Sequence, residues 1–231
     1  MTERRRQLTI DLHQQHLHQL DNFDAGGNGE LVEAIRGVAA GTRTPGLFVW
    51  GPAGCGRSHL LQAACHATEA GGRRSLYLPL ALLPREPDVL ENLGAGLVAL
   101  DDVDAWLGAR PLEAALMDLY QRQFDSRRAV LVSAGAPAQR LVFALPDLAS
   151  RLRALPGFAV RPPDDSGLRR ILVAAAHRQG LVLADPVLDF WLSRAPRSLP
   201  GLLAQLRALE RRSLAEQRRI TIPLVKEVLA L

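Results

Sequence analysis

The residues whose types and spacing best fit a chemical role lie between Gly51 and Ser58. The segment reads Gly-Pro-Ala-Gly-Cys-Gly-Arg-Ser and matches the phosphate-binding loop (P-loop) pattern G-x-x-x-x-G-K-[ST], except that Arg57 stands at the lysine position. Glycines let backbone N–H groups turn toward a phosphate, and the N-terminus of a following helix adds its positive dipole end. The Ser58 hydroxyl suits Mg²⁺. We predict a nucleotide site formed by Gly51, Pro52, Ala53, Gly54, Cys55, Gly56, Arg57, Ser58 and His59.

Two neighbouring carboxylates, Asp101 and Asp102, follow the apolar run 97–100. A continuous apolar run is typical of a buried parallel strand, and ligands bind at the carboxyl ends of such strands. Aspartates after a strand are often turn formers, but a P-loop earlier in the chain favours a functional role. We predict that Asp101 belongs to the Mg²⁺ shell and that Asp102 polarises an attacking water.

The elements that must position these groups alternate along the chain. Apolar runs predict strands at 47–50, 75–80, 97–100, 129–133 and 158–160. Helical spacing predicts intervening helices at 30–40, 58–65, 112–124 and within 141–155. This regular alternation indicates an α/β fold, an αβα sandwich with a five-stranded parallel sheet. After Pro162-Pro163 the pattern is helical throughout, which predicts a small all-helical module over 163–231.

Bulk composition restricts the classes of protein. The chain has 231 residues, a formal net charge of +4 and a sequence pI of about 9.8, which permits contact with nucleic acid or acidic proteins. No apolar run reaches the roughly 18 residues that a membrane span requires, and the first residues do not form a signal peptide. The two cysteines cannot make a disulfide framework. We expect a cytoplasmic protein with no membrane segment.

The N-terminal hexapeptide Gln7–Leu12 has apolar residues at alternate positions, Leu8, Ile10 and Leu12. The pattern by itself leaves two interpretations open. It is typical of an edge strand, and it also fits a short peptide that docks into a groove of another protein, with the glutamine fixing one end.

Several segments together resemble the bacterial replication initiator DnaA, an AAA+ ATPase. These segments are 20–23 with Asn28, 51–61, Asp101-Asp102 and 146–152. Within that group, the arginine in the P-loop, the hexapeptide and the segment 221–227 are similar to Hda proteins, the regulatory inactivators of DnaA. The resemblance implies an AAA+ domain over 21–162, a helical lid over 163–231, and a clamp-binding peptide and linker over 1–20.

The resemblance also implies a function that is exerted on another protein. Hda-like proteins bind the β sliding clamp of DNA polymerase III, here through Gln7, Leu8, Ile10 and Leu12, and promote hydrolysis of ATP bound to DnaA. The motif position for the arginine finger supplied in trans is Arg151, and Arg153 remains an alternative or a helper. The family further implies work at the nucleoid or replisome. The arginine-rich surface predicts weak, salt-sensitive DNA contact, and AAA+ contacts with an exposed N-terminal peptide predict self-association into a homo-oligomer.

Three positions depart from an active AAA+ ATPase. At position 57, the planar guanidinium of arginine replaces the compact ammonium of lysine. Gly135 stands where a polar sensor residue is usual, and Pro200 stands at or near the position of the sensor arginine of the lid. Arg197, one turn earlier, is the substitute. We expect ADP or another adenine nucleotide to be bound, with Asn28 and Arg197 contributing and Mg²⁺ as a candidate ion, and to be hydrolysed poorly.

Other functions remain alternatives. One is an active AAA+ ATPase, such as a helicase loader in DNA replication, which the altered sensor positions disfavour. Another is an initiator that reads origin DNA, and here we expect the helix-turn-helix module to be missing, since the sequence ends at Leu231. A small-molecule P-loop kinase is disfavoured by the helical module and the 146–152 motif.

Overall fold

The computed structural model describes residues 19–229, and the hexapeptide Gln7–Leu12 lies outside them. These residues divide into two compact units. One contains residues 19–23, 28–51 and 56–160, and the other contains residues 24–27, 52–55 and 161–229. We call them the α/β unit and the helical unit.

A five-stranded parallel sheet is the centre of the α/β unit. Its strands are β1 (Gly46–Trp50), β2 (Ser75–Pro79), β3 (Leu97–Asp101), β4 (Ala129–Ala134) and β5 (Gly157–Ala159). They lie in the order β2-β3-β4-β1-β5, and every pairing is parallel. The carboxyl ends of β1, β3 and β4 therefore meet at one edge of the sheet, as the alternation of elements predicts.

Helices flank this sheet. They are α1 (Gly29–Ala40), α2 (Arg57–Ala70), α3 (Arg110–Asp125) and α4 (Pro146–Ala154). Because side chains alternate along a strand, each buried strand serves both faces of the sheet. Phe48, Val98 and Val132 belong to the core that includes residues of α3 and α4, while their neighbours Leu47 and Val49 are also fully buried. Burial on both faces explains why these strands are continuous apolar runs.

The helical unit contains α5 (Asp165–Arg178), α6 (Asp185–Leu192), α7 (Leu199–Glu216) and α8 (Ile222–Leu229). They enclose their own core around Trp191, which is fully buried and donates its indole N–H to Gln205 at 2.8 Å. Asp24 joins this unit through a two-pronged ion pair with Arg170, at 3.0 and 2.9 Å. Within the described residues, no helix is both long and apolar enough for a membrane crossing.

The sequence predicted every one of these strands, but several boundaries differ. Helix α3 begins at Arg110 rather than 112, because Pro111 in its first turn is compatible with helix initiation. In the helical unit, α7 begins at Leu199, with Pro200 likewise in its first turn. The last strand is Gly157–Ala159, one residue earlier than the predicted 158–160.

Candidate functional site

The P-loop sequence lies between β1 and α2, as the motif requires. Gly54 and Gly56 have φ values of +79° and +105°, a region that side-chain-bearing residues rarely adopt. A Cβ at Gly56 would also lie 2.8 Å from the Phe23 ring. Both glycines are therefore required by the backbone turn. Cys55 between them is 2% exposed, so its side chain faces the protein interior.

The Arg57 guanidinium joins the carboxyl ends of three strands. Its Nη1 donates to the carbonyl oxygen of Gly51, just after β1, at 2.5 Å and to that of Ala134, at the end of β4, at 2.7 Å. Its Nη2 lies 2.8 Å from Oδ1 of Asp102, just after β3. The Arg57 side chain is 13% exposed. The arginine at the lysine position is therefore held by protein oxygens.

Asp102 is more exposed than its partner, with 36% of its side chain accessible. It has φ +53°, and its backbone N–H donates to Ser133 Oγ at 2.9 Å. Burial and the neighbouring charge of Asp101 raise the pKa of Asp102, and the attraction of Arg57 opposes that rise. The residue predicted to polarise water therefore has its carboxylate in an ion pair.

Asp101 is 2% exposed, and both of its oxygens accept hydrogen bonds from hydroxyl groups. Tyr77 on β2 donates to Oδ2 at 2.6 Å, and Ser133 on β4 donates to Oδ1. Burial and the hydrogen bond to Asp101 raise the pKa of Tyr77, while hydrogen bonds with Gln62 and Ser58 lower it. The phenol thus contacts Asp101 and lies near Ser58, the two residues predicted to bind Mg²⁺.

Gly135 is part of this arrangement. Its N–H donates to Asp104 Oδ2 at 3.1 Å. A Cβ at this position would lie 3.2 Å from Asp104 Oδ2 and 3.6 Å from Arg57 Nη1. A larger side chain here would crowd both groups, so two departures that the sequence presents separately, at 57 and 135, are neighbours in space.

The other predicted nucleotide contacts have protein partners of their own. His59 Nε2 lies 3.1 Å from the carbonyl oxygen of Gln19, and its ring is 5.8 Å from that of Phe23. Asn28 is buried at the start of α1. In the helical unit, Arg197 pairs with Asp165 at 2.9 Å, with 73% of the arginine side chain exposed. Their roles in nucleotide binding stay predictions.

The two arginines of the 146–152 motif region differ in their contacts. On α4, the guanidinium of Arg151 lies 5.6 Å from the centroid of the Phe124 ring, and among residues 19–229 it forms no salt bridge. Arg153 lies 5.5 Å from the Phe143 ring and also donates to the carbonyl oxygens of Ala138 at 3.3 Å and Leu141 at 3.5 Å. Arg153 is exposed with two long hydrogen bonds to the backbone, whereas Arg151 is half-buried and donates no hydrogen bond within the described residues.

A buried carboxylate, Glu113 of α3, supports the start of α4. It is fully buried, and it accepts backbone N–H groups from Gly108 at 2.7 Å, Ala144 at 2.9 Å and Leu145 at 2.7 Å. Leu145 is the residue that precedes α4. Sequence reasoning missed Glu113, because it looks like an ordinary polar position in an amphipathic helix. Tyr77, Ser133 and Phe124 were missed as well, since no motif marks them.

Comparisons with known proteins concern the fold and the helical unit. Residues 165–229 match the family model described as "Hda, lid domain". Domain III of the replication initiation protein DnaA from Thermotoga maritima is similar at 20% identity and a TM-score of 0.80, over 93% of this chain and 96% of that one. AMPPCP-bound DnaA from Aquifex aeolicus is similar at 20% identity and a TM-score of 0.66, over 87% and 70%.

The Thermotoga maritima Holliday junction branch migration motor RuvB also shares the fold, at 16% identity and a TM-score of 0.65, over 92% of this chain and 71% of that one. These structural likenesses confirm the predicted AAA+ fold with its five-stranded parallel sheet. Together with the match of the helical unit to the Hda lid, they confirm the resemblance that the motifs indicate. The helical unit thus matches the lid of Hda, and the chain is similar in fold to domain III of the replication initiator DnaA.

Proposed function

We propose that this protein is a negative regulator of DNA replication initiation that promotes hydrolysis of ATP bound to DnaA. The observation that carries the proposal is the set of contacts that the Arg151 guanidinium makes. Its guanidinium lies over the Phe124 ring and, in the described part of the chain, pairs with no carboxylate. An arginine presented in this way can reach a phosphate on a neighbouring protein, where it neutralises charge that develops on the transferred phosphoryl group.

Arg153 is less suited to that role. Its guanidinium contacts two backbone carbonyls and the Phe143 ring, and reaching a partner would break these contacts. We therefore assign the finger to Arg151 and a structural role to Arg153. Arginine fingers supplied in trans accelerate hydrolysis by about 10³–10⁵-fold.

The protein's own P-loop supports nucleotide binding with poor turnover. Gly54 and Gly56 adopt the conformations that turn the loop backbone, which favours binding of a diphosphate, and the DnaA relative in the comparison was solved with AMPPCP. The carboxylate that would polarise water, Asp102, is paired with Arg57. We propose that ADP or another adenine nucleotide binds here and that catalysis occurs on the ATP of the partner.

Recruitment to replicating DNA is the second part of the proposal. The Gln7–Leu12 peptide lies outside the described residues, and its sequence, a glutamine followed by alternating aliphatic residues, fits insertion into a hydrophobic groove of the β sliding clamp. The protein would then act in the cytoplasm at the replisome, with weak DNA contact supported by its net positive charge. We also propose that it forms homo-oligomers.

The test is a DnaA–ATP hydrolysis assay with sliding clamp loaded on DNA. The wild-type chain should accelerate hydrolysis, and Arg151→Ala should abolish most of the acceleration. Arg153→Ala serves as the matched control and should retain it, provided that the variant melts at the wild-type temperature. A variant with Leu8 and Leu12 changed to alanine should lose the clamp-dependent part.

Two results would contradict the proposal. One is an absence of stimulation by the wild-type chain in the presence of loaded clamp. The other is substantial ATP turnover by the isolated chain that Asp102→Ala abolishes, which would support an active AAA+ ATPase, such as a helicase loader, instead.

A further inference from the structure

The carboxylate that the sequence assigns to Mg²⁺ is engaged by a phenol. The Tyr77 hydroxyl donates to Asp101 Oδ2 at 2.6 Å, and the Ser58 side chain lies near enough to lower the pKa of the phenol. In a magnesium-dependent P-loop site, the metal lies between the loop hydroxyl and the strand carboxylate. Here a hydroxyl group of the protein itself already donates to an oxygen of that carboxylate.

The second oxygen of Asp101 is also engaged. Ser133 donates its hydroxyl to Oδ1, and the carboxylate is 2% exposed. Mg²⁺ requires near-octahedral oxygen ligands at about 2.0–2.1 Å and gives up its water reluctantly. An ion that used Asp101 directly would have to displace a buried hydroxyl donor.

A fixed cation is already present nearby. Arg57 Nη2 lies 2.8 Å from Asp102 Oδ1, so the second carboxylate is neutralised by a guanidinium. Arginine carries five N–H donors, and three of them bond to Gly51, Ala134 and Asp102. The other two N–H groups make no hydrogen bond within residues 19–229.

These donors do not fit a magnesium ion as they are arranged. We infer that the site binds a nucleoside diphosphate without Mg²⁺, with the Tyr77 hydroxyl and the Arg57 guanidinium doing what the ion does in an active P-loop ATPase. The phenol satisfies the Asp101 carboxylate, and the guanidinium supplies the positive charge. This inference rests on the proposed nucleotide binding and opposes the sequence-based prediction of Mg²⁺ at Ser58 and Asp101.

Calorimetric titration of the full chain with ADP, in buffer with Mg²⁺ and in buffer with EDTA, tests the inference. The two dissociation constants should agree within about threefold, whereas a tenfold weaker affinity in EDTA, equivalent to about 1.4 kcal/mol, would overturn it and leave nucleotide binding intact. No heat of binding in either buffer would reject nucleotide binding and the inference with it.

The variant Tyr77→Phe isolates the phenol. Removal of the hydroxyl frees Asp101 and Ser58, so this variant should gain a Mg²⁺ response, with ADP bound about tenfold more tightly in Mg²⁺ than in EDTA. Tyr120→Phe is the matched control, since it loses the same group from α3, and it should behave as wild type. A Tyr77→Phe protein that binds ADP equally in both buffers would contradict the role assigned to the phenol.

A spectroscopic measurement on the wild-type protein covers the case in which Tyr77→Phe does not fold. Mn²⁺ is added to the ADP complex and followed by electron paramagnetic resonance. The signal of Mn²⁺ should match that of Mn²⁺ with ADP alone. A signal specific to the protein complex would show metal coordinated at the site and overturn the inference.

Discussion

The guanidinium of Arg57 and the carboxylate of Asp102 lie 2.8 Å apart, although 45 positions separate the two residues in the chain. Since the same guanidinium also bonds to Gly51 and Ala134, it connects the ends of β1, β3 and β4. The arginine of the P-loop thus stabilises the sheet edge at which the phosphate loop begins.

Arg57→Ala should lower the free energy of unfolding. The substitution leaves Asp102 without its partner and two carbonyls without their donor, but Asp102 is 36% exposed, so water compensates in part. We expect a loss of about 1–3 kcal/mol, below the 3–5 kcal/mol typical of a fully buried pair. Urea denaturation measures the loss. Arg207→Ala, at an exposed position of α7, is the control, and equal losses in the two variants would contradict the prediction.

Glu113→Gln should destabilise the α/β unit by about 1–3 kcal/mol, because an amide N–H₂ would face one of the three backbone N–H groups that the carboxylate now accepts. The effect should extend to function, since two of those N–H groups, at 144 and 145, precede α4 and its Arg151. Denaturation and the DnaA–ATP assay measure the two effects. Glu91→Gln, at an exposed position, should change neither. An unaffected Glu113→Gln protein would refute the assignment of Glu113 as the support of α4.

Phe124→Leu should weaken stimulation of ATP hydrolysis by about two- to fivefold, which corresponds to a cation–π contact of about 0.5–1 kcal/mol. The ring is 45% exposed, and leucine keeps most of the apolar contact while removing the aromatic face under Arg151. Phe143→Leu, beneath Arg153, is the matched control and should retain full stimulation. Equal effects of the two variants would indicate that Phe124 does not orient the finger.

Asp164 should make the stability of the helical unit depend on pH. Its carboxylate caps α5 by accepting the Gly167 N–H at 2.7 Å, and this bond, followed by one from Ser166, lowers the pKa of Asp164 below its ordinary value of 3.8. A carboxylate whose pKa is lower in the folded state stabilises the fold at pH values above 3.8. This stabilisation is lost as the pH falls through the lower pKa of the folded state.

Melting of wild type and Asp164→Ala across this pH range checks the expectation. The wild type should melt several degrees higher near neutral pH, and the difference should shrink as the pH falls below 3.8. A difference that does not change with pH would mean that the charged cap contributes nothing.

Much of the fold follows from local sequence. Continuous apolar runs such as 97–100 are long enough for strands and too short for buried helices. Because these runs alternate with amphipathic helices, neighbouring strands are expected to pair in parallel. The helical unit could be predicted equally well from the sequence, because Pro162-Pro163 interrupts the strand pattern and apolar residues at helical spacing follow. The predicted strand ends agree with the structure within a residue or two. The remaining differences arise because helix and strand termini depend on contacts that periodicity does not encode.

The candidate site was only partly predictable. The P-loop motif requires glycine at 54 and 56, where φ is positive, and it predicts Ser58 as a ligand, while the apolar run that ends in carboxylates predicts Asp101. Neither pattern could indicate Tyr77, because that residue reaches Asp101 from the edge strand β2. Which residues of β2 and β3 lie side by side, such as Pro79 and Asp101, depends on the strand register, and the sequence does not reveal it. The hexapeptide Gln7–Leu12 and the clamp it is predicted to bind stay predictions.

The sequence by itself determined which residues could contact a phosphate or serve as the finger, since types and spacing are local properties of the chain. Tertiary structure decided how those residues are used. Arg57 turns to three oxygens that come from separate strand ends, and Arg153 is anchored by carbonyls while Arg151 is not. A side chain adopts the conformation that satisfies its donors best, and here those acceptors come together only when the sheet has formed.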